Sequence, residues 1–254
     1  MHNEPSELSS FAPKQMTALS FPVFPHGPRS QQLHSMVLTR HFLLLHVPRT
    51  GGQFLRKVCF EQLPADWFIR NALDAHTPYE VVADDFADLP MFSLVRNPWD
   101  WYVSIYHYLT QTLAPGDGGP MWETTYERGQ GDFATVVRRL CTGEGYDNPL
   151  MRPIMDQLDC DHCTAVWWRI AGAGVEAGKV EVGRFESLQR DFLAFLEGHG
   201  VPVSRSFIDA LASEPPFGAS RREAYPSYYD DDLRELVRRK ARRIVDAFGY
   251  EFQN

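Results

Sequence analysis

Two segments of this chain each pass from a short apolar run into a polar loop and then into a helical pattern. The first is His41–Leu55 and the second is Met91–Ser104. A short apolar run predicts a buried strand, and the pattern after it predicts a helix. Strands that alternate with helices favour a parallel sheet with helices on its faces. A third strand near Val180 is expected to join those near Phe42 and Met91.

The first loop has the composition of an anion-binding turn. After Pro48, which stops the strand, come Arg49, Thr50, Gly51 and Gly52, and then the helical stretch Gln53–Phe60. Glycines let a ligand approach the backbone, and the N–H groups and dipole at a helix start attract anions. Arg49 adds a permanent charge, and Thr50 adds a hydroxyl. From these residues alone, an ordinary strand–turn–helix joint with a surface arginine remains the alternative.

The second loop places an arginine and a serine where both can reach one anion. Arg96 ends the apolar run, and Asn97 and Pro98 suit an N-cap and a first helical residue. Ser104 lies about two helical turns further on, so its hydroxyl and the Arg96 guanidinium can converge on one phosphate. The alternative is a capped helix whose apolar and aromatic residues serve only the core, and those residues are mostly expected there: Trp99, Tyr102, Val103 and Tyr106.

Two common nucleotide-binding loops are absent from these positions. The ATP and GTP loop needs Gly, four residues and then Gly-Lys-Ser/Thr, and the dinucleotide loop needs Gly-x-Gly-x-x-Gly after the first strand. Neither spacing follows the strand near Phe42.

Together the two segments resemble the nucleotide motifs of sulfotransferases. His46–Leu55 is similar to the family's 5′-phosphosulfate loop, and Val95–Ser104 is similar to its 3′-phosphate motif. The likeness is closest to the carbohydrate-type branch, whose loop usually reads Pro-Lys-Thr-Gly. Further along, Val182–Asp191 is similar to a late strand-to-helix element of that fold, and Tyr225–Phe252 is similar to its C-terminal helix. The resemblance covers roughly residues 36–254 and is weakest between Thr110 and Val180.

The resemblance implies a three-layer α/β fold, in which helices flank a central parallel sheet that carries a P-loop-like nucleotide site. It also implies a sulfotransferase that uses 3′-phosphoadenosine 5′-phosphosulfate, needs no metal, and releases 3′-phosphoadenosine 5′-phosphate. The acceptor would be a hydroxyl or amine of a small molecule or carbohydrate. A basic loop that closes over the nucleotide would be Phe217–Arg222. The nucleotide-binding residues would be Pro48, Arg49, Thr50, Gly51, Gly52, Gln53, Phe54, Arg96, Ser104, Ser220, Arg221 and Arg222.

Two residues are expected to act in catalysis. Arg49 stands where the family has a lysine that stabilises the leaving phosphate oxygen, and it keeps the charge but does not readily release a proton. His76 lies between the two motifs, where carbohydrate-type relatives often have a catalytic histidine, and is the leading general base. The bland alternative for His76 is a surface-loop histidine. Other candidates for the base are His107, Asp85 and Glu80, whereas His46 is expected to be a packing residue at the strand end.

Composition fits one globular domain with a tail. The chain has 254 residues, 44% of them hydrophobic, which is enough for one sizeable core. Residues 1–34 are expected to form an N-terminal tail or arm, and residues 35–254 the sulfotransferase domain, with residues 110–180 as its acceptor side or lid. The net charge of -8 argues against nucleic-acid binding. With no apolar run long enough to span a membrane, a cytoplasmic location is expected.

The four cysteines fit a reducing compartment. Cys160 and Cys163 have Cys-x-x-Cys spacing, but a zinc site normally needs a second pair of ligands, so a structural role is expected. A disulfide between Cys160 and Cys163, or with Cys141, remains open at this point.

Two other functions remain open from the sequence. One is a nucleoside-triphosphate kinase with a deviant loop, which magnesium dependence would favour. The other is a nucleotide-binding module without catalysis, for which Arg49 in place of lysine is the best argument. The acceptor and the oligomeric state do not follow from the sequence.

Overall fold

The structure is a computed structural model that describes residues 36–69, 71, 73–111, 131–145, 148–213 and 222–253. The predicted tail (residues 1–34) and the predicted nucleotide-binding residues Ser220 and Arg221 therefore lie outside the described residues. The described chain contains a four-stranded sheet with the order β1-β2-β3-β4. Its strands are β1 (Val37–Leu38), β2 (Leu43–Leu45), β3 (Met91–Val95) and β4 (Val180–Arg184).

Strands β2, β3 and β4 are parallel, as predicted, and β1 is antiparallel to β2. The sheet is therefore mixed. The edge strand β1 was not predicted, because it has only two residues and no alternating pattern. The Thr39 side chain makes the tight turn after it: its hydroxyl donates to the Phe42 carbonyl at 2.9 Å and accepts the N–H groups of His41 and Phe42.

Helices occupy most of the remaining described chain. In order they are α1 (Gly52–Gln62), α2 (Tyr79–Val82), α3 (Pro98–Gln111), α4 (Phe133–Thr142), α5 (Arg152–Leu158), α6 (His162–Trp167), a π-helix (Trp168–Gly172), α7 (Ala173–Glu176), α8 (Leu188–Gly198), α9 (Arg205–Ser213), α10 (Asp231–Lys240) and α11 (Arg242–Phe248). Short 3-10 turns span Ala65–Trp67, Phe185–Ser187 and Tyr225–Tyr228.

Apolar residues on the two faces of the sheet build two separate cores. In β2, Leu43 and Leu45 belong to one core and Leu44 to the other, because successive strand residues point to opposite faces. Helices α1, α8 and α9 pack on the Leu44 face, whereas α3 to α6 and the C-terminal helices pack on the opposite face. This arrangement confirms the predicted α/β class with a sheet between layers of helices.

The segment Val182–Asp191, predicted as a strand-to-helix element, contains the end of β4, a 3-10 turn and the start of α8. On α8, Leu188, Phe192 and Phe195 are buried in one core. The C-terminal region Tyr225–Phe252, predicted to resemble one helix, contains a 3-10 turn and two helices, α10 and α11, that meet at Ala241. Within residues 110–180, the region predicted as a lid or acceptor side, residues 112–130 and 146–147 lie outside the described residues.

The Cys160–Cys163 motif lies in a buried polar cluster at the start of α6. The Asp161 carboxylate caps this helix by accepting the Thr164 N–H at 2.9 Å, and it also accepts the Tyr102 hydroxyl at 2.7 Å. Both cysteines are free thiols, and burial raises their pKa values. A buried thiol with a raised pKa is a poor nucleophile and metal ligand. These observations agree with the structural role that was expected.

Two buried histidines should make folding stability depend on pH. Burial holds the pKa of His46 well below its usual value and lowers that of His162 to about 3. Only the unfolded chain then takes up these protons, so stability is full above the unfolded pKa and is lost as the pH falls. We expect the free energy of unfolding to drop by roughly 1–1.5 kcal/mol per histidine between about pH 7.5 and 5.5. Urea titrations at both pH values measure this change.

The substitution His162→Phe separates this contribution from others. Asp161, whose pKa burial raises, acts in the opposite direction as it takes up its proton, but it is common to both proteins. The variant should lose about half of the pH dependence attributed to the two histidines. His199→Gln, at the more exposed C-terminal end of α8, is the control. An unchanged pH dependence in His162→Phe would contradict the burial of a neutral imidazole.

Candidate active site

Two hydrogen bonds hold the loop that follows β2. The Thr50 hydroxyl donates to the Val47 carbonyl at 2.8 Å, and the Trp101 indole N–H donates to the Pro48 carbonyl at 2.9 Å. Arg49, at the tip of the turn, has a φ of 65°, in the left-handed region. A side chain other than glycine rarely adopts this conformation, and such residues concentrate at functional sites.

The two glycines after Thr50 fit a crowded position at the start of α1. A Cβ on Gly51, whose φ is 87°, would lie 2.4 Å from Leu188 Cδ1, and one on Gly52 would lie 2.1 Å from the His46 ring. Packing therefore requires glycine at both positions, and the backbone conformation favours it at Gly51 as well. Among the described residues, the N–H groups of Gly52 and Gln53 have no hydrogen-bond acceptor. They remain available to an anion at this helix start.

The structure brings the two predicted loops into direct contact. Arg49 Nε donates to the Ser104 hydroxyl at 3.1 Å, and Arg96 Nη1 donates to the Arg49 carbonyl at 2.7 Å. The Arg49 guanidinium also lies over the Tyr108 ring, 4.8 Å from its centroid. Both loops follow neighbouring parallel strands, whose carboxyl ends meet at the same edge of the sheet.

Arg96 is also bonded to a carboxylate that sequence reasoning missed. Its Nε and Nη2 donate to Asp100 Oδ2 at 2.8 and 2.6 Å, and Arg222 Nη2 donates to Asp100 Oδ1 at 2.7 Å. This places Arg222 beside Arg96 and the start of α3. The sequence signal for this ion pair was the i,i+4 spacing of Arg96 and Asp100 around the start of α3.

The three arginines form a positive cluster in a chain of negative net charge. Burial, and after it the charge of Arg96, lowers the pKa of Arg49 to about 10, which leaves its guanidinium charged at neutral pH. Burial also lowers the pKa of Arg96, and the Asp100 carboxylate opposes that shift. Cations held in a water-poor pocket attract an anion far more strongly than solvated ones do.

Phe185 and Glu186 join the late strand-to-helix element to this site. The Phe185 ring covers the Arg96 guanidinium, with 3.9 Å between the guanidinium carbon and the ring centroid. The Glu186 carboxylate accepts the Asn97 N–H at 2.9 Å and the Tyr250 hydroxyl at 3.0 Å, so it satisfies the start of α3. Sequence reasoning identified this element but did not assign Phe185 to the site.

His76 is tied to the first loop through His46. His76 Nδ1 lies 2.9 Å from the His46 carbonyl oxygen, and the two rings are in contact at a tilt of 34°, with 4.6 Å between centroids. Because a carbonyl only accepts, Nδ1 carries the proton in this bond and Nε2 is the basic nitrogen. The buried His46 ring in turn packs against Gly52. The His46 ring therefore lies between His76 and the start of α1.

The other predicted residues occupy varied positions. His107 Nε2 is 2.8 Å from the Tyr228 hydroxyl, and Asp85 and Glu80 are exposed. The Phe54 side chain is buried in the core, and its N–H donates to the Gly51 carbonyl at 3.0 Å. Gln53 is exposed, and its side-chain oxygen accepts a bond from Arg56.

Within the described residues, no group of three or more His, Cys, Asp or Glu side chains could hold a metal ion. No helix in the described part of the chain is long and apolar enough to cross a membrane.

Comparison with known proteins places the fold but gives no family by sequence. No protein-family model matches the chain, and no curated protein matches it. Among solved structures it is similar to mouse sulfotransferase SULT7A1 complexed with PAP, with a TM-score of 0.50 and 15% sequence identity. The match covers 87% of this chain and 94% of the mouse chain. The chain therefore has a sulfotransferase-like α/β fold.

Proposed function

We propose that this protein is a sulfotransferase that moves a sulfuryl group from 3′-phosphoadenosine 5′-phosphosulfate to an acceptor. The observation that carries the proposal is the contact between the two loops: Arg49 Nε to Ser104 Oγ at 3.1 Å, and Arg96 Nη1 to the Arg49 carbonyl at 2.7 Å. The two features that a nucleotide with separate 5′ and 3′ anionic groups would require thus lie side by side. The resemblance to the carbohydrate-type branch favours a hydroxyl of a sugar or another small molecule as acceptor.

The polar groups of the pocket fit such a nucleotide. Arg222 Nη1 is buried and has no hydrogen-bond partner among the described residues. A guanidinium has five N–H donors, and the bonds of Arg96 to Asp100 and Arg49 engage three of them. The remaining donors, with the Ser104 hydroxyl, suit a phosphate. The open N–H groups at the start of α1 suit a second anion beside Arg49.

The chemistry needs one base and one positioned cation. The nucleotide supplies the sulfuryl group and, as leaving group, a phosphate oxygen. His76 Nε2 takes the proton of the acceptor hydroxyl as its oxygen forms a bond to sulfur. The bond from sulfur to the bridging oxygen breaks, and its electron pair stays on that oxygen, whose charge Arg49 stabilises. The Arg49–Ser104 bond places that guanidinium between the two motifs.

The two alternative functions, a kinase and a binding module without catalysis, make different predictions. A kinase with a deviant loop would bind ATP at least as well as adenosine 3′,5′-bisphosphate and would require a divalent cation for turnover. A binding module would take the bisphosphate without transferring sulfate. A mass-spectrometric screen for sulfate addition, with the sulfate donor and a panel of hydroxyl acceptors, separates the module from the enzyme.

Nucleotide binding gives the most direct test of the proposed pocket. We expect adenosine 3′,5′-bisphosphate to raise the melting temperature, because it binds the folded state only, and adenosine 5′-monophosphate or ATP to raise it much less. Equal shifts from all three nucleotides would contradict a 3′-phosphate site at Arg96 and Ser104. Arg96→Ala should weaken bisphosphate binding by roughly 1.5–3 kcal/mol, the range for a hydrogen bond to a charged group. Circular dichroism should accompany this variant, since Arg96 also bonds Asp100 and the Arg49 carbonyl.

A further inference from the structure

Asp100 is the one acidic side chain that the described residues place in contact with both Arg96 and Arg222. Oδ2 accepts two bonds from Arg96, and Oδ1 accepts one from Arg222. The side chains of Arg96, Asp100 and Arg222 are 6%, 17% and 16% exposed, so water screens these ion pairs only weakly. A carboxylate in a pocket meant for an anion requires an explanation, because like charges repel.

The directions of the bonds supply that explanation. Asp100 bonds the Nε and Nη2 side of the Arg96 guanidinium, and the Arg49 carbonyl takes one proton of Nη1. One N–H group of Nη1 and one of Nη2 are therefore left on Arg96 to donate to an anion. In Arg222, Nη2 is the atom bonded to Asp100, and Nη1 is the buried atom without a partner in the described chain.

We propose that Asp100 is a positioning residue for the 3′-phosphate. Its two oxygens fix Arg96 and Arg222 so that their remaining N–H groups face one anion, and they hold the described end of the basic loop against the 3′-phosphate motif. Asp100 itself does not touch the nucleotide. The inference rests on the proposed function and adds to it a specific cause for the preference for a 3′-phosphate.

The sign of one substitution distinguishes positioning from simple charge. If Asp100 contributed only its negative charge, Asp100→Asn would make the pocket more positive and would tighten binding of adenosine 3′,5′-bisphosphate. If Asp100 positions the two guanidinium groups, the same change frees them to rotate, and binding weakens. We expect the preference for the bisphosphate over adenosine 5′-monophosphate to fall about tenfold, the equivalent of one charge-assisted hydrogen bond.

The experiment measures both dissociation constants by calorimetry on the full chain. The two nucleotides differ only by the 3′-phosphate, so their ratio is insensitive to a general loss of stability. Asp209→Asn, which removes the exposed partner of an i,i+4 pair with Arg205 on α9, is the matched control and should keep the parent's ratio. A parent that binds both nucleotides equally overturns the proposed function. If the parent prefers the bisphosphate and Asp100→Asn shows an equal or greater preference, the proposed function stands. Only the positioning role of Asp100 is then overturned.

A second variant covers the case in which Asp100→Asn does not fold, since it leaves the Arg96 charge buried without its partner. Asp100→Glu keeps the charge but moves the carboxylate outward by one methylene. This variant should fold, and its preference for the bisphosphate over adenosine 5′-monophosphate should still fall at least about threefold, because the geometry is altered and the charge is not. An unchanged preference in Asp100→Glu would overturn the positioning role.

Discussion

His76→Ala should slow sulfuryl transfer by roughly 10²–10⁴-fold, the usual effect of removing a positioned general base. The affinity for adenosine 3′,5′-bisphosphate should stay near that of the parent, because in the proposed arrangement His76 faces the acceptor and not the adenosine. The bond from Nδ1 to the His46 carbonyl fixes the tautomer, so that Nε2 is the nitrogen that accepts the proton. The measurement is the turnover rate at saturating acceptor, beside calorimetry with the bisphosphate.

The pH profile gives this prediction a second readout. The parent's rate should rise with pH and then level, because only neutral imidazole accepts a proton. His46 does not contribute to this rise, since burial keeps its pKa well below the usual value. His199→Ala, at the residue that follows α8, should leave both the rate and its pH profile unchanged. Normal turnover in His76→Ala would transfer the role to His107 or a carboxylate, and His107→Ala would then be the deciding variant.

The strand–loop–helix joints were predictable because their signals are local. Short apolar runs ended by Pro48 and Arg96, each followed by helix-start residues, specify the joint without any tertiary information. Three parallel strands follow from the alternation of such joints with helices. Strand β1 could not be predicted, since two residues make a strand only when a neighbour's edge pairs with them.

The residues of the candidate site could be named from the sequence, but the hydrogen bonds among them could not. The first motif indicated Arg49, and the second indicated Arg96 and Ser104. Their contact depends on β2 and β3 being neighbouring strands, which the sequence only suggests. The bond of Arg96 to Asp100 was missed because an Arg–Asp pair at i,i+4 is usually a solvated surface pair. Phe185 was missed because an aromatic residue beside a strand end normally indicates core packing.

His46 illustrates the limit most clearly. It was expected to be a packing residue at the strand end, and its ring is indeed buried against Gly52. Its carbonyl, which the sequence cannot distinguish from any other, is the group that orients His76. Backbone groups acquire roles only through the fold, so sequence patterns of side chains do not reveal them.

Arg49→Ala should reduce turnover by roughly 10²–10³-fold, as does removal of one donor that stabilises a developing negative charge. The affinity for adenosine 3′,5′-bisphosphate should fall less, because the bond to the leaving oxygen matters most in the transition state. Alanine adds no new backbone strain, since Arg49 already occupies the left-handed region at a φ of 65°. Rates at saturating donor and acceptor, with dissociation constants from calorimetry, separate the two effects. Lys57→Ala, on α1, removes a positive charge at a partly exposed position and serves as control.

Arg49→Lys tests why the charge is held on a guanidinium. The lysine keeps the charge but has no Nε, so it loses the bond that Arg49 makes to the Ser104 hydroxyl at 3.1 Å. If stabilisation of the leaving oxygen is the main contribution, turnover should be retained or raised, because an ammonium is a compact charge that can also give up a proton. If Arg49→Lys instead loses nucleotide binding while its circular dichroism spectrum stays that of the parent, the forked geometry of arginine holds the two motifs together. In that case the charge at the leaving oxygen is secondary, and the Arg49–Ser104 contact becomes the feature that defines this nucleotide site.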